Sequence, residues 1–390
     1  MKIFVAGAGA TGSIIAKLLA ERPEVEQVLV GDIDAKKARK FLISHPKIAF
    51  KTLNAQNTEE IAKATAGFTV IINASLPYFN LNLMQAALES GTHYQDLASD
   101  WADAKIEQLQ YHDKFKEKSL VGLINASASP GITNLIAGEL ASQLKRIEYI
   151  KIRLLEDVSS EVPFTAWSKK IAFDEFSYKP LVWQFDQFVS QNNFSEEEFY
   201  NFPEPFVNRK CYLLAQEDIG TIPLYIKTKY ADLKAGGSEI ELARTLFKLG
   251  FFKKRPIKVG DAKVSPYDFA LQIWPDVLSP AEMKTLVESG KLHEAYFWAS
   301  VEVKGISQGK KITKKKVILF PKQSEINQLY PGANYVSYTA GLTAAIFALH
   351  IPKIKERGVF PPEALSSEIR SSIIQELEKN KIKIETNEIN

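Results

Sequence analysis

Lys2-Ile3-Phe4-Val5-Ala6-Gly7-Ala8-Gly9-Ala10-Thr11-Gly12 opens the chain with a short apolar strand that runs directly into three glycines spaced G-x-G-x-x-G. Each glycine has a separate job in such a turn. Gly7 permits the tight exit from the strand, Gly9 lets backbone approach a pyrophosphate, and Gly12 lets the following helix lie close on the sheet. That helix is visible in Ile14, Ile15, Leu18 and Leu19, which share one face of a 3.6-residue period, and it stops at Arg22-Pro23. A second strand, Val25 to Val30, ends at Gly31-Asp32-Ile33 and places an acid about 20 residues beyond the last glycine, where it can accept from the hydroxyls of an adenosine ribose. Strand, glycine turn, helix, strand and terminal acid together predict a dinucleotide-binding unit. Gly7, Gly9, Ala10, Thr11, Gly12, Asp32 and Ile33 are its expected contacts. A carboxylate at Asp32 suits free ribose hydroxyls and repels a 2′-phosphate, so NAD is expected, with NADP the less favoured cofactor because Lys36 and Lys37 only partly offset that charge.

The alternation continues with a helix at about 35–44, a strand at 48–53, a helix at 57–65 and a strand at 68–73, which is the rhythm of a Rossmann-type, doubly wound parallel sheet. Ala74-Ser75-Leu76-Pro77 follows the fourth strand, at the carboxyl ends where such sheets bind ligands, so this loop is expected to face the cofactor. A helix at 80–90 closes on Gly91, the fifth strand at 93–97 carries Asp96, and a helix at 101–117 and a strand at 120–125 complete the first domain. Ser129-Pro130-Gly131 then reads as a capped helix start whose free amides, Gly131 among them, could meet a substrate carboxylate or the nicotinamide amide.

From Ile147 the texture changes to long aromatic and alternating runs (149–155, 209–215, 224–230, 297–304, 313–320) with helices near 238–249 and 280–290, which predicts an α+β domain on a largely antiparallel sheet. The clusters Trp167-Ser168-Lys169, Asp174-Glu175 and Gln216-Glu217-Asp218 combine polar, charged and aromatic groups as a pocket wall would, and also as exposed loops would. Val336 to His350, rich in alanine and glycine, reads as a closely packed helix returning to the first domain; Gly358 to Glu363 reads as a rigid turn, and the tail after about 384 as loose. The expected division is 1–128 with 334–375 against 129–333, the latter serving substrate and dimerisation.

Composition narrows the class. A chain of 390 residues with 45% hydrophobic and 24% charged residues suits two folded domains, and no apolar run reaches the roughly 18 residues of a spanning helix. The net charge of +3 gives no reason to invoke nucleic acid, and the basic run Lys310, Lys311, Lys314, Lys315, Lys316 reads as a solvated hairpin protecting a sheet edge. One cysteine, Cys211, excludes an internal disulfide, and the first strand begins without a leader, so a soluble cytoplasmic protein is expected. No metal site suggests itself.

Several separated stretches resemble the saccharopine dehydrogenase family, which includes carboxynorspermidine dehydrogenase and lysine epsilon-dehydrogenase: GAGATGS at 7–13, NASLPYFN at 73–80, GTHYQDLA at 91–98, ASPGITNL at 128–135 and GVFPPEAL at 358–365. The resemblance implies a nucleotide-binding domain completed by C-terminal helices, an inserted substrate domain, and oxidation of an amino acid at a C–N bond. In that chemistry hydride leaves the carbon beside an amine, and water hydrolyses the resulting imine. The sheet logic then makes Asp96 the candidate base and Tyr78 a second catalytic candidate, with Trp167, Ser168, Lys169, Asp174, Glu175 and Glu217 as substrate contacts. Gln216, where relatives carry histidine, cannot titrate. A small amino-acid substrate and a homodimer are the expected partners, and an NAD-binding sensor without turnover is the alternative of another class.

Overall fold

A computed structural model describes residues 1–100 and 106–389. The chain divides into two compact units. The first holds Met1–Leu144, Gly220–Lys227 and Ser337–Lys383; the second holds Lys145–Ile219, Thr228–Val336 and the chain from Ile384.

The first unit is built on a seven-stranded parallel sheet in the order Gly358–Phe360, Val121–Leu123, His93–Asp96, Val70–Asn73, Lys2–Ala6, Gln27–Asp32, Ile48–Thr52. Lys2–Ala6, Val70–Asn73 and Val121–Leu123 are short, almost wholly buried runs, as central parallel strands are. One layer of the core joins Phe4, Ile71, Leu83, Met84, Tyr94, Phe115, Ile124 and Val359, all nearly free of solvent, and each such side chain stabilises the fold by roughly 1.5–3 kcal/mol. The order of strands reverses between Lys2–Ala6 and Val70–Asn73, so the glycine turn and the Ala74 to Pro77 loop leave the sheet side by side. The doubly wound sheet, the second α+β unit and the returning C-terminal helix are as expected. Tyr335–His350 packs its small residues tightly: a Cβ on Gly341 would lie 2.7 Å from Ile14 Cγ2, and the Ala344 carbonyl accepts from Gln95 Nε2 at 2.9 Å.

The second unit carries a nine-stranded mixed sheet. Its path is Glu198–Tyr200, Arg209–Leu213, Tyr230–Gly236, Arg146–Ser160, Leu292–Ser307, Lys310–Leu319, Lys383–Ile389, with the hairpin Leu181–Gln184 and Gln187–Ser190 beside Tyr230. Most pairings are antiparallel, but Tyr230–Gly236 runs parallel to Arg146–Ser160. Arg153 is fully buried on this sheet and fully compensated: Asp232 accepts from it at 2.9 Å, and Glu198 pairs with it as well. Cys211 is buried, and burial pushes its thiol up to about 12, so it is inert.

Several expectations are corrected. Ile132–Ala141 belongs to the first compact unit, where Asn134 Nδ2 donates to Glu363 Oε1 at 3.2 Å and the Glu363 backbone lies against Gly138. That helix opens at Ile132 and not at Pro130, with Gly131 as the preceding residue at φ 135°. Residues 224–230 are not a strand. Ile219, Ile222 and Ile226 repeat at helical spacing, and the chain forms the helix Asp218–Tyr225 before the strand Tyr230–Gly236. Gly358–Phe360 is no mere turn but the seventh strand of the first sheet. The tail forms the strand Lys383–Ile389, so the basic strand Lys310–Leu319 is flanked on both sides and protects no edge. Of the helix expected at 101–117, residues 101–105 lie outside the described residues; Glu107–Tyr111 is 3-10 and His112–Glu117 α-helical.

Candidate functional site

Close approach shapes the nucleotide cradle. A Cβ on Gly7 would meet the Ala74 carbonyl oxygen at 2.7 Å, and one on Gly12 would meet the Gly7 carbonyl oxygen at 2.0 Å, so both positions need glycine to seat the helix Ala10–Ala20 against the sheet. Gly9 differs, since nothing lies within 4 Å of its Cβ position and the space beside its backbone is open. The helix has no side-chain cap and no acid in its first turn, and its first backbone bond is Ser13 N–H to the Gly9 carbonyl at 3.0 Å. The amides of Ala10, Thr11 and Gly12 therefore precede the first bonded turn, as an anion-binding helix start requires.

Asp32 ends its strand with each carboxylate oxygen fixed by one backbone amide: Ala8 N–H donates to Oδ2 at 2.8 Å and Asp34 N–H to Oδ1 at 2.9 Å. Each oxygen keeps a lone pair for a ribose hydroxyl. Ile33 beside it is 68% exposed, the kind of surface an adenine ring covers. On the other side of the switch point Asn73, which the sequence reading did not single out, shapes the loop. Its Oδ1 accepts from the Ser75 amide (3.0 Å) and hydroxyl (2.6 Å), and its Nδ2 donates to the Leu76 carbonyl (3.3 Å) and to Asn80 Oδ1 (2.7 Å). Ala74, Ser75, Leu76 and Pro77 are left half-buried, and Tyr78 is exposed at the lip. An asparagine at a strand's end followed by a serine was the available signal. This cradle fits a nicotinamide dinucleotide, which when bound supplies the hydride acceptor.

Asp96 lies at the carboxyl end of its strand as expected, but it is 0% exposed. Its Oδ1 accepts from the Asn125 amide at 2.7 Å, and Oδ2 accepts from Gln108 Nε2 at 3.2 Å. Burial pushes its carboxyl up to about 7 against the lowering pull of these bonds. Its two oxygens tie this strand end to the Asn125 backbone and to Gln108. Gly131 is likewise enclosed: its amide donates to Asn134 Oδ1 at 3.4 Å, and the Ile132 amide donates to the Ser127 and Ala128 carbonyls at 3.0 Å, so these are not free amides waiting for a carboxylate.

In the second unit the expected substrate residues separate into two groups. Lys169 pairs with Asp276 at 2.8 Å and donates to the Trp274 carbonyl at 3.0 Å. Asp174 accepts from Tyr267 at 2.8 Å and Lys254 at 3.2 Å and pairs with Lys170, so both residues brace helices. Trp167 and Ser168 are half-buried just before the helix Lys169–Ser177. Glu175 and Glu217 have different company. Burial first, then Glu217, Glu156 and Asp218, hold the Glu175 carboxyl well above its usual range, against one hydrogen bond from Gln216 Nε2 at 3.2 Å. Glu156 continues this chain of acids on the central strand Arg146–Ser160. It is 8% exposed and pushed up to about 8 by burial and by Glu239, and Glu239 is itself pushed up to about 7 by burial and Asp157. Asp157, Glu156 and Glu239 were missed because the fold gathers them from separate elements; the acid pair that follows the apolar run 149–155 was the local hint.

An open-sided glycine turn, an aspartate ending the second strand and a loop after the fourth strand at the switch point fit a dehydrogenase of the nicotinamide-dinucleotide class. Residues 3–123 match the saccharopine dehydrogenase NADP binding domain and residues 127–382 the saccharopine dehydrogenase C-terminal domain; the chain belongs to the saccharopine dehydrogenase family and is an NAD(P)-dependent oxidoreductase acting at a carbon–nitrogen bond. It is 27% identical over 380 residues to carboxyaminopropylagmatine dehydrogenase of Synechocystis sp., covering 93% of this chain and 92% of that one, and 21% identical over 407 residues to carboxynorspermidine synthase of Vibrio alginolyticus, covering 94% and 92%. Saccharopine dehydrogenase (L-Glu forming) from Saccharomyces cerevisiae has the same fold, with a TM-score of 0.73 at 14% identity over 100% of both chains. Among the described residues no helix is long and apolar enough to cross a membrane.

Proposed function

We propose that this chain is an NAD-linked dehydrogenase whose substrate joins an amino-acid carboxylate to a cationic amine arm. The observation that carries the reading is the group of buried and half-buried carboxylates Glu175, Glu156 and Glu239. Like charges crowded away from water are expensive unless a cation joins them, and a second carboxylated arm, as in saccharopine, would be repelled. The names of the two relatives, an agmatine and a norspermidine derivative, point the same way. The carbon beside the substrate nitrogen gives up a hydride as the nitrogen lone pair forms the imine; water then adds and the amine leaves, and the reverse joins an amine to a carbonyl compound. For this the nitrogen must be neutral, and Tyr78, exposed beside the Ala74 to Pro77 loop, is the proposed orienting group. Asp96 acts by positioning, through the loops it holds.

The NAD preference rests on Asp32, and the homodimer on the exposed Leu249, Ile257, Val259, Phe269 and Ile273 of the second unit, more apolar surface than one stretch of a monomer usually shows. A cytoplasmic setting agrees with the single buried thiol. The deciding assay follows absorbance of the reduced cofactor with carboxynorspermidine, carboxyaminopropylagmatine, saccharopine and lysine. One of the first two should be turned over at least about tenfold faster than saccharopine, the order of magnitude of a single hydrogen bond to a charged group. Faster turnover of saccharopine sinks the cationic arm, and no turnover of any leaves a cofactor-binding sensor.

A further inference from the structure

Arg153 shows how this fold treats a buried charge that it intends to keep: two carboxylates face it. The acids beyond it on the same strand are treated otherwise. The charged groups acting on Glu156 and Glu239 are carboxylates, as are those acting on Glu175, and among the described residues none of the three is paired with a lysine, arginine or histidine. The groups that face Glu156 come from each element packed around it: Glu175 from the helix Lys169–Ser177, Glu239 from the helix Ser238–Leu249, and the buried Tyr335. Its neighbour Asp157 turns instead to the Ser238 amide, which donates to it at 3.2 Å. Gly237 is pressed so closely on the Glu156 backbone that a Cβ there would meet the Glu156 carbonyl oxygen at 2.1 Å, which holds Glu156 in place. Among the described residues its buried Oε2 has no hydrogen-bond partner. A buried, immobile oxygen without a donor is what remains when the donor belongs to a ligand.

Among the described residues no three acids, histidines or thiols converge to hold a metal ion. The acids are instead set in succession, Glu175 to Glu156 and Glu156 to Glu239, which suits an extended organic cation. Three ionised carboxylates crowded together away from water are not stable, so Glu156, Glu175 and Glu239 carry protons until an amine joins them.

We propose that Glu156, with Glu175 and Glu239, is an exchange site in which a cationic nitrogen of the amine substrate displaces protons that the empty site holds. Each exchange takes an ammonium and a carboxylic acid to an ion pair and one hydrated proton; no carbon bond changes, and atoms and charge balance. The inference rests on the cationic-amine reading of the substrate given above. It makes binding tighten as pH rises, because protons are then already leaving the site, until the amine itself deprotonates. With Glu239 pushed up to about 7 and Glu156 to about 8, affinity rises most steeply below pH 7 and levels off above pH 8.

The test is calorimetric titration of the full-length protein with NAD present, adding agmatine and, separately, norspermidine at pH 7 in two buffers of different ionisation enthalpy. The expected result is roughly one proton released per amine bound, with affinity rising up to about tenfold per pH unit between 6.5 and 7.5. Binding without proton release overturns the exchange and leaves the cationic substrate standing. If neither amine binds, both the exchange and the cationic-amine reading are overturned. The Glu156→Gln protein, checked for folding by its melting temperature, should release fewer protons per amine; an unchanged count removes Glu156 from the exchange. The measurement on the unaltered protein does not depend on that variant folding.

Discussion

Asp32 presents two oxygens that cannot turn away, each tied to a backbone amide. A 2′-phosphate brought to such a fixed carboxylate is repelled, whereas two free hydroxyls are bound. NAD should therefore bind more tightly than NADP, and Asp32→Ala should narrow or reverse the ratio in paired fluorescence titrations; a preference for NADP in the unaltered protein would show that Asp32 does not set it. Gly9 tests the phosphate cradle. Because nothing lies within 4 Å of its Cβ position, Gly9→Val meets no clash and should fold, while filling the space the pyrophosphate needs. NAD affinity should fall at least about tenfold with an unchanged melting temperature. Equal affinity would remove the nucleotide site from this turn. Both residues were legible in the sequence because their meaning is local, a spacing and a strand end. Glu156 and Glu239 were not, since each is an ordinary exposed-looking acid until the fold sets one against the other.

At the scale of elements, periodicity was read correctly wherever one face of a strand or helix decides it, as in Ala10–Ala20, Asn80–Ser90 and Ser238–Leu249. It misled where a run was judged in the wrong window. Leu224 to Tyr230 looks like a strand only if Ile219 and Ile222 are left out, and the three-residue strand Gly358–Phe360 is too short to show a period at all. Serine before proline misplaced the start of the helix Ile132–Ala141, which turns on Gly131. There φ is 135°, and a Cβ would lie 2.0 Å from the Ser127 carbonyl oxygen. Gly131→Ala should therefore be destabilised by about 2 kcal/mol or more, seen as a lower midpoint in urea, since both the backbone conformation and the space oppose the methyl group. An unchanged midpoint would mean that this turn relaxes freely, and that the enclosure of its amides does not hold.

For the whole molecule, stability depends on pH through buried groups in both units, and their signs can be added. Asp96 at about 7, Glu239 at about 7 and Glu156 at about 8 are all raised above their unfolded values. The folded chain therefore holds protons that the unfolded chain has already lost. Their contribution is greatest below the unfolded carboxylate range, falls as pH rises, and levels off above pH 8, at up to about 1.4 kcal/mol per pH unit for a group still fully protonated. His93 and His350 act in the other direction. Burial lowers both, so their contribution is complete above the unfolded histidine value near 6.5 and is lost as pH falls through their folded values. Below about 6.5 the two sets oppose each other; between 6.5 and 8 only the acids change. The melting temperature should accordingly fall across pH 6.5–8, and Asp96→Asn, which keeps an acceptor for the Asn125 amide but cannot ionise, should flatten that fall. Turnover adds the second half of the experiment. If Asp96 only positions the strand ends, the asparagine variant keeps the pH profile of kcat while its stability profile changes. A loss of turnover of roughly 10²-fold with an altered kcat profile is what a group exchanging protons with the substrate would produce. That result would put Asp96 back among the reacting groups despite its burial. An unflattened melting profile would show instead that its carboxyl is ionised throughout and that burial does not hold its proton.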